Sequence, residues 1–246
     1  YTTAESYECA MKSFQRILWS RPITCFKIGK EYIEYWSNGM QNGVLDENGK
    51  EIGKIREATR GLYLRNCRAV WNECVSLGYL TNQEYPFSNV KKKKLVAIPV
   101  GDTRKDRYLN VQQMTELYRV FIEKRYPDTW KKGYAEKAHY SLGLFLAQYL
   151  CNGFNMADAG ELKYSQFYFN SGRKAFNFKR VKTRHSTEGG VEITIPIIEP
   201  LQKVLDEIAA ESVLNGFVFP EILNGATHKA DKRKRISQEN SNVQDR

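Results

Sequence analysis

The sequence predicts two domains: a helical one over residues 1–88 and a mixed α+β one over 108–246, joined by a basic linker over 89–107. Three observations carry this. Apolar residues recur at helical spacing in three stretches of the first part. Residues 89–107 then hold seven basic and two acidic residues, with Pro99 and Gly101 and no helical period. Beyond Tyr164 come three short aromatic and β-branched runs, which predict a small antiparallel three-stranded sheet.

The first helix is expected over residues 3–19, capped by Thr3, with Tyr7, Met11, Phe14, Ile17 and Leu18 as its apolar stripe and Pro22 beyond its end. A second is expected over 29–41, burying Tyr32, Ile33, Tyr35 and Trp36, and residues 42–52, with two Asn-Gly steps, read as a loop. The third, 57–77, sends Leu62, Leu64, Ala69, Val70, Trp71, Cys74 and Val75 inward and offers Arg56, Arg60, Arg65 and Arg68 on its other side. Tyr85-Pro86-Phe87 ends the helical part, and Lys91, Lys92, Lys93 and Lys94 follow at once. Between two basic domains these lysines, with Arg104 and Lys105, are expected to follow a nucleic-acid backbone.

In the second domain, helices are expected over 111–125 and 129–151, the latter with Tyr134, Ala138, Leu142, Phe145, Leu146, Tyr149 and Leu150 as its core stripe. A Gly153-Phe154-Asn155 turn leads to a short helix with Asp158, Glu161 and Leu162. The strand-like runs are 164–169, 175–183 and 191–197, and Lys179, Arg180, Lys182 and Arg184 load the hairpin between the last two. A cationic hairpin of this kind suits phosphates better than a core. A helix over 201–214 and an extended piece over 216–220 follow, and the residues from Asn224 onward read as a polar tail with at most one helix beginning near Ser237.

The net charge of +10 predicts an acidic partner, with nucleic acid the first class and an anionic membrane surface its rival. No apolar run approaches the ~18 residues of a membrane span. The absent initiator Met and signal peptide lead us to expect an excised stretch of a longer protein. Cys9, Cys25, Cys67, Cys74 and Cys151 form no Cys-x-x-Cys pair, and His139, His185 and His228 are scattered. Buried free thiols, no metal and no cofactor are the expectation.

The order of these elements resembles the tyrosine recombinases (the phage-integrase family), in particular the integrases of conjugative and mobilisable transposons. The resemblance is carried by Ala58-Thr-Arg-Gly-Leu-Tyr-Leu-Arg-Asn-Cys-Arg-Ala-Val-Trp-Asn72, by Tyr85-Pro86-Phe87, by the basic linker, and by Gly216-Phe-Val-Phe-Pro220. It implies a SAM-like core-binding domain followed by the first half of a catalytic domain. The implied activity is site-specific breakage and rejoining of double-stranded DNA through a 3′-phosphotyrosyl link, integrating a mobile element. It also implies tetramers on DNA, room for accessory DNA-bending factors, and a cytoplasmic, nucleoid-associated place in a bacterium with no membrane partner. In such a reaction cationic donors neutralise the pentacoordinate phosphate, and an acid protonates the leaving 5′-hydroxyl.

Carried over residue by residue, the hairpin lysine of the family falls on Lys182, with a pKa depressed by neighbouring cations. Arg60, Arg65, Arg68, Lys91–Lys94, Arg104, Lys105, Arg180 and Arg184 become DNA contacts. The family's Gly-x-Arg-x-x-Glu pattern meets Gly153-Phe154-Asn155-Met156-Ala157-Asp158, so Asp158 fills the acidic slot as a structural residue and Asn155 stands in the arginine slot. Asn152 fills the other position where relatives carry an arginine. No tyrosine follows Phe217, and His228 does not open a His-x-x-Arg box. The chain is therefore expected to be the DNA-clamping front of a recombinase, monomeric and inactive on its own. A non-catalytic DNA-binding protein on a degenerate scaffold of this kind stays open as the second reading. A basic RNA-binding or membrane-surface module fits the charge but not the order of elements.

Overall fold

Amphipathic periodicity builds both cores. The computed structural model describes residues 3–19, 28–81, 85–88, 96–100, 108–131, 133–181 and 192–246. The chain divides into two compact units, Tyr1–Arg107 and Tyr108–Arg246.

In the first unit α1 (Thr3–Ile17), α2 (Lys30–Asn42) and α3 (Glu57–Ser76) bury Ala10, Ile17, Ile33, Trp36, Met40, Leu64 and Trp71 together. Trp36 meets Phe14 edge to face at 5.3 Å, and its Nε1 donates to Ser13 Oγ at 3.2 Å, so its one polar atom is satisfied inside the core. The stretch expected as a loop is a hairpin, β1 (Val44–Leu45) against β2 (Glu51–Ile52). Asp46 Oδ1 accepts from Asn48 N and Lys50 N, both at 2.9 Å, which closes the turn. The inward face of α3 is narrower than expected. Gly61, Leu64 and Trp71 are buried, whereas Leu62 (41 % exposed) and Val70 (48 %) face away. Three- and four-residue steps from Gly61 reach Leu64, Arg68, Trp71 and Val75, and they pass by Leu62 and Val70.

Part of the expected linker belongs to this unit. β3 (Phe87–Ser88) and β4 (Val96–Ala97) pair in parallel, Val96 is buried in the core, and Ile98 packs against it. A Cβ on Gly61 would overlap the Pro99 carbonyl, so only glycine lets this strand lie on α3.

The second unit begins with α4 (Val111–Glu123), whose N-terminus is closed by a reciprocal capping box between Asn110 and Gln113, both hydrogen bonds at 2.9 Å. α5 (Tyr134–Leu150) starts at the first residue of its apolar stripe, after Gly133 at φ +78°, and not at the expected residue 129. α6 (Met156–Glu161) and α7 (Gln166–Asn170) follow, then β5 (Ala175–Lys179) and β6 (Glu192–Pro196), antiparallel with the buried pair Phe176↔Ile195 in register. α8 (Glu199–Ile208) stops six residues short of expectation (214 − 208), where Ala209 is extended and Ala210 N donates to Val218 O at 2.9 Å. The chain closes with α9 (Pro220–Leu223) and α10 (Lys229–Asp245). The core gathers Phe121, Leu144, Leu146, Phe176, Val204, Phe219 and Ile222.

Two expectations fail here for physical reasons. The run 164–169, expected as a strand, is mostly helix α7, so among the described residues the sheet has two strands. Tyr164 and Tyr168, four residues apart, turn to the same side; Tyr168 stacks on Phe176 at 5.2 Å, and Tyr164 Oη donates to Ala210 O at 2.8 Å. Packing has overridden strand propensity. The expected polar tail is mostly α10, seventeen residues long. Lys232, Arg235, Ile236, Glu239, Asn242 and Val243 form its half-buried stripe, with Ile236 and Val243 against the core.

Candidate nucleic-acid interface

α6 organises the candidate site. Asn155 caps it: Asn155 Oδ1 accepts from Asp158 N at 2.9 Å, and Asp158 Oδ2 accepts from Asn155 N at 3.3 Å. Asp158 is 1 % exposed, and its second oxygen, Oδ1, accepts from Val181 N at 2.8 Å. Arg180 Nε stands 3.5 Å from Oδ2. One buried carboxylate thus ties the start of α6 to the residue just before Lys182. A buried carboxylate is tolerated only when its lone pairs are used, and here three N–H groups converge on it.

The two asparagine positions are structural in this arrangement. Asn155 spends its side-chain oxygen on the cap, and Asn152 is a left-handed turn residue at φ +56°. Arg180 is half-exposed, with its guanidinium held toward Asp158, while Lys179 is exposed at the end of β5. Lys182 and Arg184 lie outside the described residues, as do Lys91–Lys94, Arg104 and Lys105.

On α3 the predicted arginines part company. Arg60 is committed to the protein: its Nη1 donates to Ser37 Oγ at 2.9 Å, and Nε and Nη2 grip Glu57 at 3.1 and 2.8 Å. Its side chain is 13 % exposed. Arg65 is exposed, its Nη1 donating weakly to Pro99 O at 3.4 Å, and Arg68 is half-exposed one turn on. Arg65 and Arg68 are neighbours one turn apart, with Arg68 on the stripe that also carries Leu64 and Trp71; Arg60 serves the fold.

Sequence reasoning missed the cations of α10. Lys229, Lys232, Arg233, Lys234 and Arg235 crowd its first two turns, and Lys232 Nζ lies 4.0 Å from Glu161 of α6. The signal was present as three- and four-residue spacing from Lys232 to Ile236 and Val243, but two large apolar residues in seventeen were too few to identify a helix.

Elsewhere the titratable groups are tuned for packing. Tyr126 and Tyr164 are pushed up to about 12 by burial, and Tyr140 is raised by the same cause, the opposite of an activated phenolate. Burial likewise pushes the Cys67 and Cys151 thiols up to about 12, leaving them protonated and poor nucleophiles at neutral pH. His139 stacks on Phe121 at 4.3 Å, shares a hydrogen bond between its Nδ1 and Tyr126 Oη (2.8 Å), and faces Glu207, itself paired with Lys124 at 2.7 Å. Burial lowers the His139 pKa against the opposing pull of Glu207. Among the described residues no three His, Cys, Asp or Glu side chains gather as a metal site, and no helix is long and apolar enough to cross a membrane. Comparison with family models, with curated proteins and with solved structures finds no match for this chain.

Proposed function

We propose that the chain grips duplex DNA and is the DNA-clamping part of a site-specific tyrosine recombinase. The observation that supports this best is the Asp158 bracket. A buried carboxylate fixes the foot of the segment bearing Lys182 through Val181 N at 2.8 Å, and turns Arg180 to the same place. A rigid foot lets a cationic segment meet a phosphate without losing the entropy of an unanchored loop. Arg65 and Arg68 supply a second cationic face on the first unit. The reading assigns Asp158, Arg180, Arg65 and Arg68 binding and positioning.

A non-catalytic DNA-binding protein is the second reading, favoured by Asn155, whose side chain is spent on a helix cap in the slot where the resemblance calls for arginine. Lys182→Ala separates the two in a protein that also carries the downstream boxes. The recombinase reading expects slower cleavage at unchanged duplex affinity; an equal loss of binding makes Lys182 a backbone contact only. The binding itself is tested by fluorescence anisotropy with a labelled duplex at rising salt. A clamp with six to ten phosphate contacts gives log Kobs against log salt a slope of about −5 to −9. A slope near zero, or equal affinity for anionic vesicles, contradicts the proposal.

A further inference from the structure

α10 carries its charge against its own dipole. Five of its first seven residues are cations, Lys229, Lys232, Arg233, Lys234 and Arg235, with Asp231 the one carboxylate among them, and no basic residue stands in its last turn. Cations belong at a helix C-terminus, where they meet the carbonyl end; at the N-terminus they oppose the macrodipole and each other. His228, at the N-cap position, provides no side-chain hydrogen bond to relieve the first turn. Nor does the helix have a large apolar face to compensate, since none of its residues is fully buried. Charge so placed weakens a lone helix and favours an anion docked beside it.

The packing puts part of that charge in a defined place. Asp158 and Glu161 stand three residues apart on α6, on one face about 5–6 Å apart at Cβ. The first holds Arg180 at 3.5 Å and the second holds Lys232 at 4.0 Å. Gly160 lets α9 pack closely on α6, since a Cβ there would stand 3.0 Å from Ile222, and Ile236 of α10 lies against the same position, 3.5 Å from where that Cβ would be. α6 therefore sets the foot of the Lys182 segment and the cationic half of α10 side by side. Lys229, Arg233 and Lys234 are exposed, and among the described residues Arg235 Nε is shielded from water with no hydrogen-bond partner. A polyanion lying along this face meets outward cations and relieves the dipole conflict at once.

We infer that the first two turns of α10 are a second backbone-docking face for duplex DNA, continuous with Arg180 across α6. This rests on the proposed DNA binding and extends it to a helix with no part in the reading from sequence.

The test uses the full chain and a 30-base-pair duplex of random sequence. The variant K229Q/R233Q/K234Q alters exposed positions, and its far-ultraviolet circular dichroism is expected to match that of the unaltered chain. Its salt slope is expected to fall by up to about 2.7, three contacts at about 0.9 each, and its affinity at 0.1 M salt by about tenfold or more. The charge-conserving K229R/R233K/K234R is expected to bind like the unaltered chain; loss of binding there overturns the inference, because backbone docking reads charge. An unchanged slope in the glutamine variant, with the unaltered chain still binding duplex, overturns the inference and leaves the proposed function standing. No duplex binding by the unaltered chain overturns both. Equal loss on vesicles of phosphatidylserine, which the unaltered chain binds as tightly as duplex, assigns α10 to a membrane surface and overturns it as well.

Discussion

α3 and α10 are both long helices with cations on their outer sides, and they are held by opposite means. α3 is anchored by Leu64 and Trp71, both buried, and locks one of its arginines, Arg60, into Glu57 and Ser37. α10 has no fully buried residue and is fixed by half-buried Ile236 and Val243, by Ile236 packing beside Gly160 of α6, and by an ion pair from Lys232 to Glu161. In α3 the fold is secured first and the surface cations are additional. In α10 the cations occupy positions that cost helix stability, and the helix is held by its half-buried stripe and the Lys232–Glu161 pair. The lesson is that a basic residue says little until its neighbours are known: Arg60 and Arg65 are five residues apart with different roles.

The comparison breaks most readily in the cores. Trp71→Ala is expected to lower the stability of the first unit by about 3–5 kcal/mol, whereas Ile236→Ala, half-buried, costs about 1–2 kcal/mol in the second. Urea unfolding measures both, and equal losses would erase the distinction between the helices. Next in size is Asp158→Ala, which strands Val181 N and Asn155 N and is expected to cost about 2–3 kcal/mol by the same assay. Asp158→Asn keeps an acceptor for Val181 N and should cost less; equal damage would show that the charge, and not the hydrogen bond, holds the segment.

Arginine roles are separated by a smaller effect. Arg60→Ala is expected to cost about 1–2 kcal/mol of stability and leave the salt slope of duplex binding alone. Arg65→Ala with Arg68→Ala should do the reverse, lowering the slope by about 2 with the urea midpoint unchanged. Smallest is a pH effect. The folded-state pKa of His139 lies below its ordinary value of 6.5, so the unfolded chain takes up its proton first. The stability His139 contributes is present above pH 6.5 and is lost as pH falls through the lowered folded value. Glu207, also lowered, loses its contribution only as pH falls below 4.5. His139→Gln is expected to flatten the upper part of the thermal-stability profile and leave the lower part, as read by differential scanning calorimetry.

Much of the fold was legible where apolar spacing was dense. α1, α2, α3 and α4 fall within a few residues of their expected bounds, because stripes such as Tyr7, Phe14 and Ile17 have one helical solution. The run 164–169 was illegible because aromatic residues favour strands in general, and only the stacking of Tyr168 on Phe176 decides for a helix here. α10 was illegible because its stripe is built of Lys, Arg, Glu and Asn stems as much as of Ile236 and Val243. At the site, the spacing of Asn155 and Asp158 was readable as a short turn and helix, but the bond from Asp158 to Val181 N spans twenty-three residues and no local pattern encodes it.

The most direct measurement is a covalent footprint of the cations with and without duplex, using an amine-acylating reagent for lysines and phenylglyoxal for arginines, read by mass spectrometry. The account predicts that duplex protects Arg65, Arg68, Arg180, Lys229 and Lys234. Lys12, Lys30 and Lys203, each paired with a glutamate four residues away on its own helix (Glu8, Glu34 and Glu199), should keep their reactivity. Protection spread evenly over all exposed cations, or absent from Arg65, Arg68 and Arg180, would contradict it.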